Sequence, residues 1–237
     1  MKHLKKPLLY IKKNMSNHKL NNFQKIYIIF LVLFYAVWTI AELIIHPALN
    51  QVIADGSVLS QIIFDWILKN LCWTAPALIL IKKFDAKLYI PAKKLFKNPV
   101  DMKEVLLVFC LEIAFCIINS VASHNGFYFR AEGLQECIAF VFVGVTEELV
   151  FRAWLLNASM NQKNKNFAIA LNAILFLCIH FPIWILYGNF IAYMTSFSFI
   201  MIILLSIFFS WTMLYFKNIW VTIGVHMLWD ILVTILN

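Results

Sequence analysis

Glu147, Glu148, His180, His226 and Asp230 stand inside stretches of the chain that otherwise read as lipid-buried. The contexts are Val-Gly-Val-Thr-Glu-Glu-Leu-Val-Phe-Arg over 143–152, Phe-Leu-Cys-Ile-His over 176–180 and His-Met-Leu-Trp-Asp over 226–230. A charged side chain at the centre of a bilayer costs about 2.5–3.5 kcal/mol even on lenient scales, so such residues are rare and face the interior of a bundle. Carboxylates and imidazoles together are the inventory of a site that activates water for hydrolysis.

Spacing assigns provisional roles. Glu148 and Arg152 are four residues apart, share a helical face and are expected to pair. Glu147 lies about 100° around the same helix, has no such local partner, and is the candidate for the chemistry, with Glu148 and Arg152 in support. His180 alone reads as readily as a packing residue. His226 differs, because Asp230 follows four residues later on its face. A carboxylate on one imidazole nitrogen fixes the tautomer and aims the other at water, a metal or an oxyanion. Counted along their segments, Glu147, His180 and His226 fall about twelve, thirteen and eight residues in, a common depth to within roughly one helical turn.

The elements that position them must be membrane helices. The chain of 237 residues is 62% hydrophobic and 14% charged, with a mean hydropathy of +0.80, whereas soluble domains average about 25% charged residues. The expected fold class is all-α: a polytopic integral membrane helix bundle of about seven spans, near 26–46, 60–81, 104–123, 135–157, 167–187, 190–215 and 218–236. Pro182 is placed to kink the fifth span just beyond His180. Residues 1–25 form a basic cytoplasmic arm, 26–133 carry three N-terminal spans and 134–237 a catalytic core of four. The first apolar run is too long for a signal peptide and lacks a small-residue cleavage site, so it should stay as an anchor.

The formal charge of +8 does not point to nucleic acid. Seven lysines precede the first span and seven lie in the second connection, between Ile81 and Val105, while the alternate connections are almost bare. Seventeen basic residues against one put the N-terminus inside and the C-terminus outside. The same clusters attract anionic lipid. The five cysteines all fall in apolar segments and read as free thiols. Lys69 is expected to be neutralised by Asp65 one turn earlier, or to pair with Glu42 or Glu112. Glu42 and Glu112 read as helix-to-helix bonding groups, with a substrate path as the alternative.

The ordered series Glu-Glu-x-x-x-Arg, Phe-x-x-x-His and His-x-x-x-Asp resembles the CPBP family of intramembrane proteases, which includes CAAX prenyl endopeptidases and bacteriocin-processing or immunity proteins. The resemblance covers about 134–237. It implies that Glu147 activates the attacking water, that His180 and His226 orient that water or bind a metal, and that Asp230 holds the site or the oxyanion. Two positions depart from the family pattern: Ala153 where glycine is common, and Asp230 where asparagine is frequent. Glu147, His180, His226 and Asp230 are also a donor set for a divalent ion such as zinc. The short His-Glu-x-x-His spacing is absent, and metal-bound and metal-free mechanisms both stay open.

The expected function is an intramembrane endopeptidase acting on a hydrophobic or lipidated peptide, of the bacteriocin or pheromone type, in a bacterial cell membrane. The alternatives are a non-catalytic immunity or scaffold protein that retains the pocket, and a secondary transporter whose polar residues line a path.

Overall fold

The structure is a computed structural model and describes residues 20–53, 58–124, 126, 128–130, 133–162 and 164–236. The first nineteen residues of the basic arm lie outside the described residues. The chain divides into two units, 1–33 and 34–237. The first contributes the opening turns of a helix, 22–33; everything that follows concerns the second.

The described residues form helices and no strands, as a bilayer demands of a chain that must satisfy its own backbone hydrogen bonds. They are α1 (Asn22–Val52), α2 (Ile62–Lys83), the short α3 (Ala92–Lys97), α4 (Met102–His124), α5 (133–160), α6 (Lys165–Leu186), the short α7 (Phe190–Thr195), α8 (Ser198–Phe216) and α9 (Ile219–Leu236). Among the described residues, six helices are long and apolar enough to cross a membrane: α1, α2, α4, α6, α8 and α9. The expectation of about seven spans also counts α5. At about 1.5 Å per residue it exceeds the roughly 30 Å hydrocarbon core, and its Glu136, Glu147, Glu148 and Arg152 set it apart from the other six.

Polarity is arranged inside out. Ile44, Leu71, Ile79, Leu107 and Ile118 are more than half exposed, whereas Glu148, Arg152, Asn157, Ser206, Ser210 and Thr222 are fully buried. Helix α5 sits at the centre, packed on α2, α6, α8 and α9, and α9 also packs on α4. The α5–α9 approach is close because Gly144 has no side chain: a Cβ there would lie 2.7 Å from Met227 Cγ.

Three local features shape the site. The backbone of α5 widens into a π-helical stretch at Leu149–Leu156, directly after the paired glutamates, and every residue of that stretch is buried. In α6 the helix is interrupted at Ile179 and His180, and Phe181–Leu186 resumes with Pro182 in its first turn. The expected kink is therefore a break, and it falls at His180 itself. The sixth span, expected as one helix over 190–215, is broken at Ser196 and Phe197. There Thr195 Oγ1 donates to the Ile191 carbonyl at 2.7 Å and Ser196 Oγ to that of Tyr193 at 3.0 Å, local bonds that compete with helix continuation.

Candidate active site

The central ion pair is built within one helix turn of α5. Arg152 Nη1 donates to Glu148 Oε1 at 2.9 Å, and both side chains are fully buried. The guanidinium is held from α8 as well: Nη2 donates to Ser206 Oγ at 2.9 Å. Its plane lies 4.3 Å from the Phe176 ring centroid and 5.3 Å from that of Phe209. Aromatic faces of this kind stabilise a desolvated cation.

Helix α9 brings His226 to the same carboxylate. His226 Nδ1 lies 2.7 Å from Glu148 Oε1, so Glu148 takes both the arginine and the imidazole on one oxygen. Nδ1 is the donor in that contact, which leaves Nε2 as the working nitrogen. Nε2 faces two further carboxylates, Asp230 Oδ2 at 3.5 Å and Glu147 Oε2 at 3.9 Å. Phe209 stacks on the His226 ring, with centroids 4.5 Å apart and planes at 22°.

His180 is oriented by its own helix. Its Nδ1 lies 3.1 Å from the Phe176 carbonyl, an acceptor that makes Nδ1 the donor and leaves Nε2 the nitrogen not committed to the backbone. The two imidazoles flank Phe176 edge to face, at 5.5 Å for His180 and 5.9 Å for His226. The Glu147 charge acts on both rings. Glu147 itself, only slightly exposed, has no hydrogen bond to any described residue. Its 3.9 Å approach to His226 is beyond hydrogen-bond length.

The structure thus gathers Glu147, Glu148, Arg152, His226 and Asp230, with the His180 ring 5.5 Å from that of Phe176, against which His226 also packs. One expected relation changes. Spacing assigns Asp230 to the first nitrogen of His226; in the structure Glu148 occupies that place, and Asp230 stands on the Nε2 side with Glu147. The i,i+4 argument sees only partners on the same helix, and the stronger partner comes from another. Ser206 and Phe209 were not legible in advance, although Ser206-x-x-x-Ser210 is a small polar face in an otherwise apolar helix.

Among the described residues no group of three or more His, Cys, Asp or Glu side chains is gathered closely enough to hold a metal ion. Glu148 is spent on Arg152 and His226.

Outside this cluster, Lys69 is paired with Asp65 at 2.6 Å and lies 5.0 Å from the Trp38 ring. Glu42 bonds His46 in its own helix at 3.1 Å. Among the described residues, neither Glu42 nor Glu112 makes the helix-to-helix hydrogen bond expected of it.

Residues 134–232 match the family model described as type II CAAX prenyl endopeptidase, Rce1-like. No curated protein and no solved structure matches the chain. The matched segment runs from α5 to α9 and contains every residue of the cluster. The match and the apolar helices support a membrane endopeptidase in general.

Proposed function

We propose that the protein, whose residues 134–232 match the Rce1-like CAAX endopeptidase family, hydrolyses a peptide bond in a hydrophobic or lipidated peptide, with Glu147 as the base that activates water. The observation that carries this reading is the division of labour between the adjacent glutamates. Glu148 is held by Arg152 at 2.9 Å and by His226 at 2.7 Å, so it is committed to structure. Glu147, next to it, is within 4 Å of the working nitrogen of His226 and is not tied down.

In this mechanism the Glu147 carboxylate takes a proton from water as the water oxygen adds to the scissile carbonyl carbon. The carbon–nitrogen bond then breaks, and Glu147 returns the proton to the departing nitrogen, leaving an amine and a carboxylic acid, which ionises to the carboxylate by giving its proton to the amine or to water. His226 and His180 orient the water and the reacting carbonyl through Nε2, and Asp230 steadies the charge that develops there. Arg152 acts through Glu148 and is a positioning residue.

A site placed within apolar, membrane-length helices favours a substrate that partitions into lipid. Processing of a bacteriocin- or pheromone-type peptide in a bacterial membrane is the biological setting that fits. The test is cleavage of a mass-resolved peptide panel by the purified protein in lipid vesicles, comparing hydrophobic leader peptides, prenylated Cys-terminal peptides and soluble controls, with and without chelator. Cleavage confined to membrane-partitioning peptides and indifferent to chelator is expected. No cleavage of any of them would contradict the reading, and cleavage abolished by chelator and restored by zinc would replace its mechanism.

A further inference from the structure

A cavity lies beside the site, and its chemistry is different. It has a volume of about 560 Å³ and is lined by Leu111, Glu112 and Phe115 of α4, Leu204 and Phe208 of α8, and Trp229 of α9. Leu111, Phe115 and Leu204 are about half exposed or more on the outer, apolar face of the bundle, so the cavity opens where the bilayer would be. Its inner wall backs onto the active-site cluster. Phe208 precedes the ring that stacks on His226, and Trp229 precedes Asp230.

The anomaly is Glu112. Its side chain is only 6% exposed, it lines this cavity, and neither carboxylate oxygen has a hydrogen-bond partner among the described residues. Among the other buried carboxylates, Glu148 has an arginine and an imidazole on one oxygen, Glu42 bonds His46 and Glu147 faces His226 at 3.9 Å. Leaving a buried carboxyl group without a hydrogen-bond partner is costly. The group is electrostatically in touch with His226 and Asp230, so it lies near the reaction centre and is not a remote surface feature.

We propose that this cavity is a substrate subsite, which holds an apolar stretch of the peptide and pairs Glu112 with one basic side chain in that stretch. The inference rests on the endopeptidase reading and deepens it by naming a selectivity. Charge complementarity identifies the occupant. A lipid chain alone would fill the hydrocarbon walls and leave both Glu112 oxygens bare. A polar peptide would leave the walls unfilled. A hydrophobic peptide with a single lysine or arginine satisfies both, and its long methylene stem suits an apolar passage to a polar end. A charge-assisted hydrogen bond in such a site outweighs a neutral one about twofold.

Binding, not cleavage, tests this without depending on the catalytic reading. The probes are two leucine-rich peptides carrying a benzophenone photolabel, identical except that one has a central lysine and the other norleucine. They are presented to the full chain in nanodiscs, and crosslinks are mapped by mass spectrometry. The lysine peptide should label the α4–α8 cavity and bind about ten- to a hundredfold more tightly than the norleucine peptide. In Glu112→Gln that preference should shrink to within about threefold, with norleucine-peptide binding unchanged, which also reports that the variant is folded. Glu147→Gln should keep the preference in full, so a failure of the catalytic assignment is seen separately, in cleavage. Equal binding of the two peptides by the wild type would overturn the proposal and leave the cavity a site for lipid chains. A lysine preference that survives Glu112→Gln would overturn it equally.

Discussion

Arg152 is the residue on which the cluster turns. It is the guanidinium that faces Glu148, and it is clamped by Ser206 and by the rings of Phe176 and Phe209. Removing one partner of a buried pair leaves the other charge uncompensated, which costs about 3–5 kcal/mol. Arg152→Met should therefore lower thermal stability by that order, read as loss of intrinsic fluorescence transition temperature in nanodiscs. It should also lower cleavage, because Glu148 then has no reason to stay under His226 Nδ1. A variant as stable as wild type would mean that the Arg152 clamp, to Glu148 within α5 and to Ser206 of α8, is not what stabilises the cluster. The i,i+4 part of this arrangement was legible in the sequence, as was the pairing of Lys69 with Asp65. The 78-residue separation between His226 and Glu148 was not, because only the packing of α9 on α5 brings them together.

At the scale of elements, two devices set the geometry. Gly144 lets α9 approach α5, and a larger side chain there must displace Met227 or its backbone. Gly144→Leu should separate the helices that carry Glu147 and His226, lowering kcat by about a hundredfold or more, since a 1 Å misplacement alone can cost that much. Wild-type kcat in a folded Gly144→Leu protein would contradict the close approach. The second device joins the loop before α3 to the end of α5: Asn157 accepts from Ile90 N at 2.7 Å and donates to Ile90 O at 2.8 Å. Asn157→Ala leaves two buried backbone groups unpaired and should cost about 1–3 kcal/mol for each, measured by thermal unfolding. A loss below the lower figure would show that the loop is held by other contacts. Apolar run length predicted where helices lie, but the π-helical turn at Leu149–Leu156 and the break at Ser196 left no such trace. Both depend on how individual carbonyls find partners, such as Phe151 O, which accepts from Asn172 Nδ2 at 2.8 Å. Hydropathy does not register that.

For the whole molecule, the charge distribution predicts orientation: the lysine-rich connection around α3 on the cytoplasmic side and the end of α9 on the other. A single cysteine introduced at Asn98 in an otherwise cysteine-free chain should react with an impermeant maleimide in inverted vesicles and stay protected in intact cells. The opposite pattern would reverse the topology and move the site's access to the other leaflet. The central claim concerns chemistry inside that bundle, and it is tested most directly by turnover of one membrane-partitioning peptide by wild type, Glu147→Gln and Glu147→Asp side by side in vesicles. Glu147→Gln should fold with an unchanged unfolding temperature and lose cleavage by about a thousandfold or more, with partial activity in Glu147→Asp, as expected when a positioned base is removed or shortened. Cleavage by Glu147→Gln at the wild-type rate would mean that Glu147 does not activate the water.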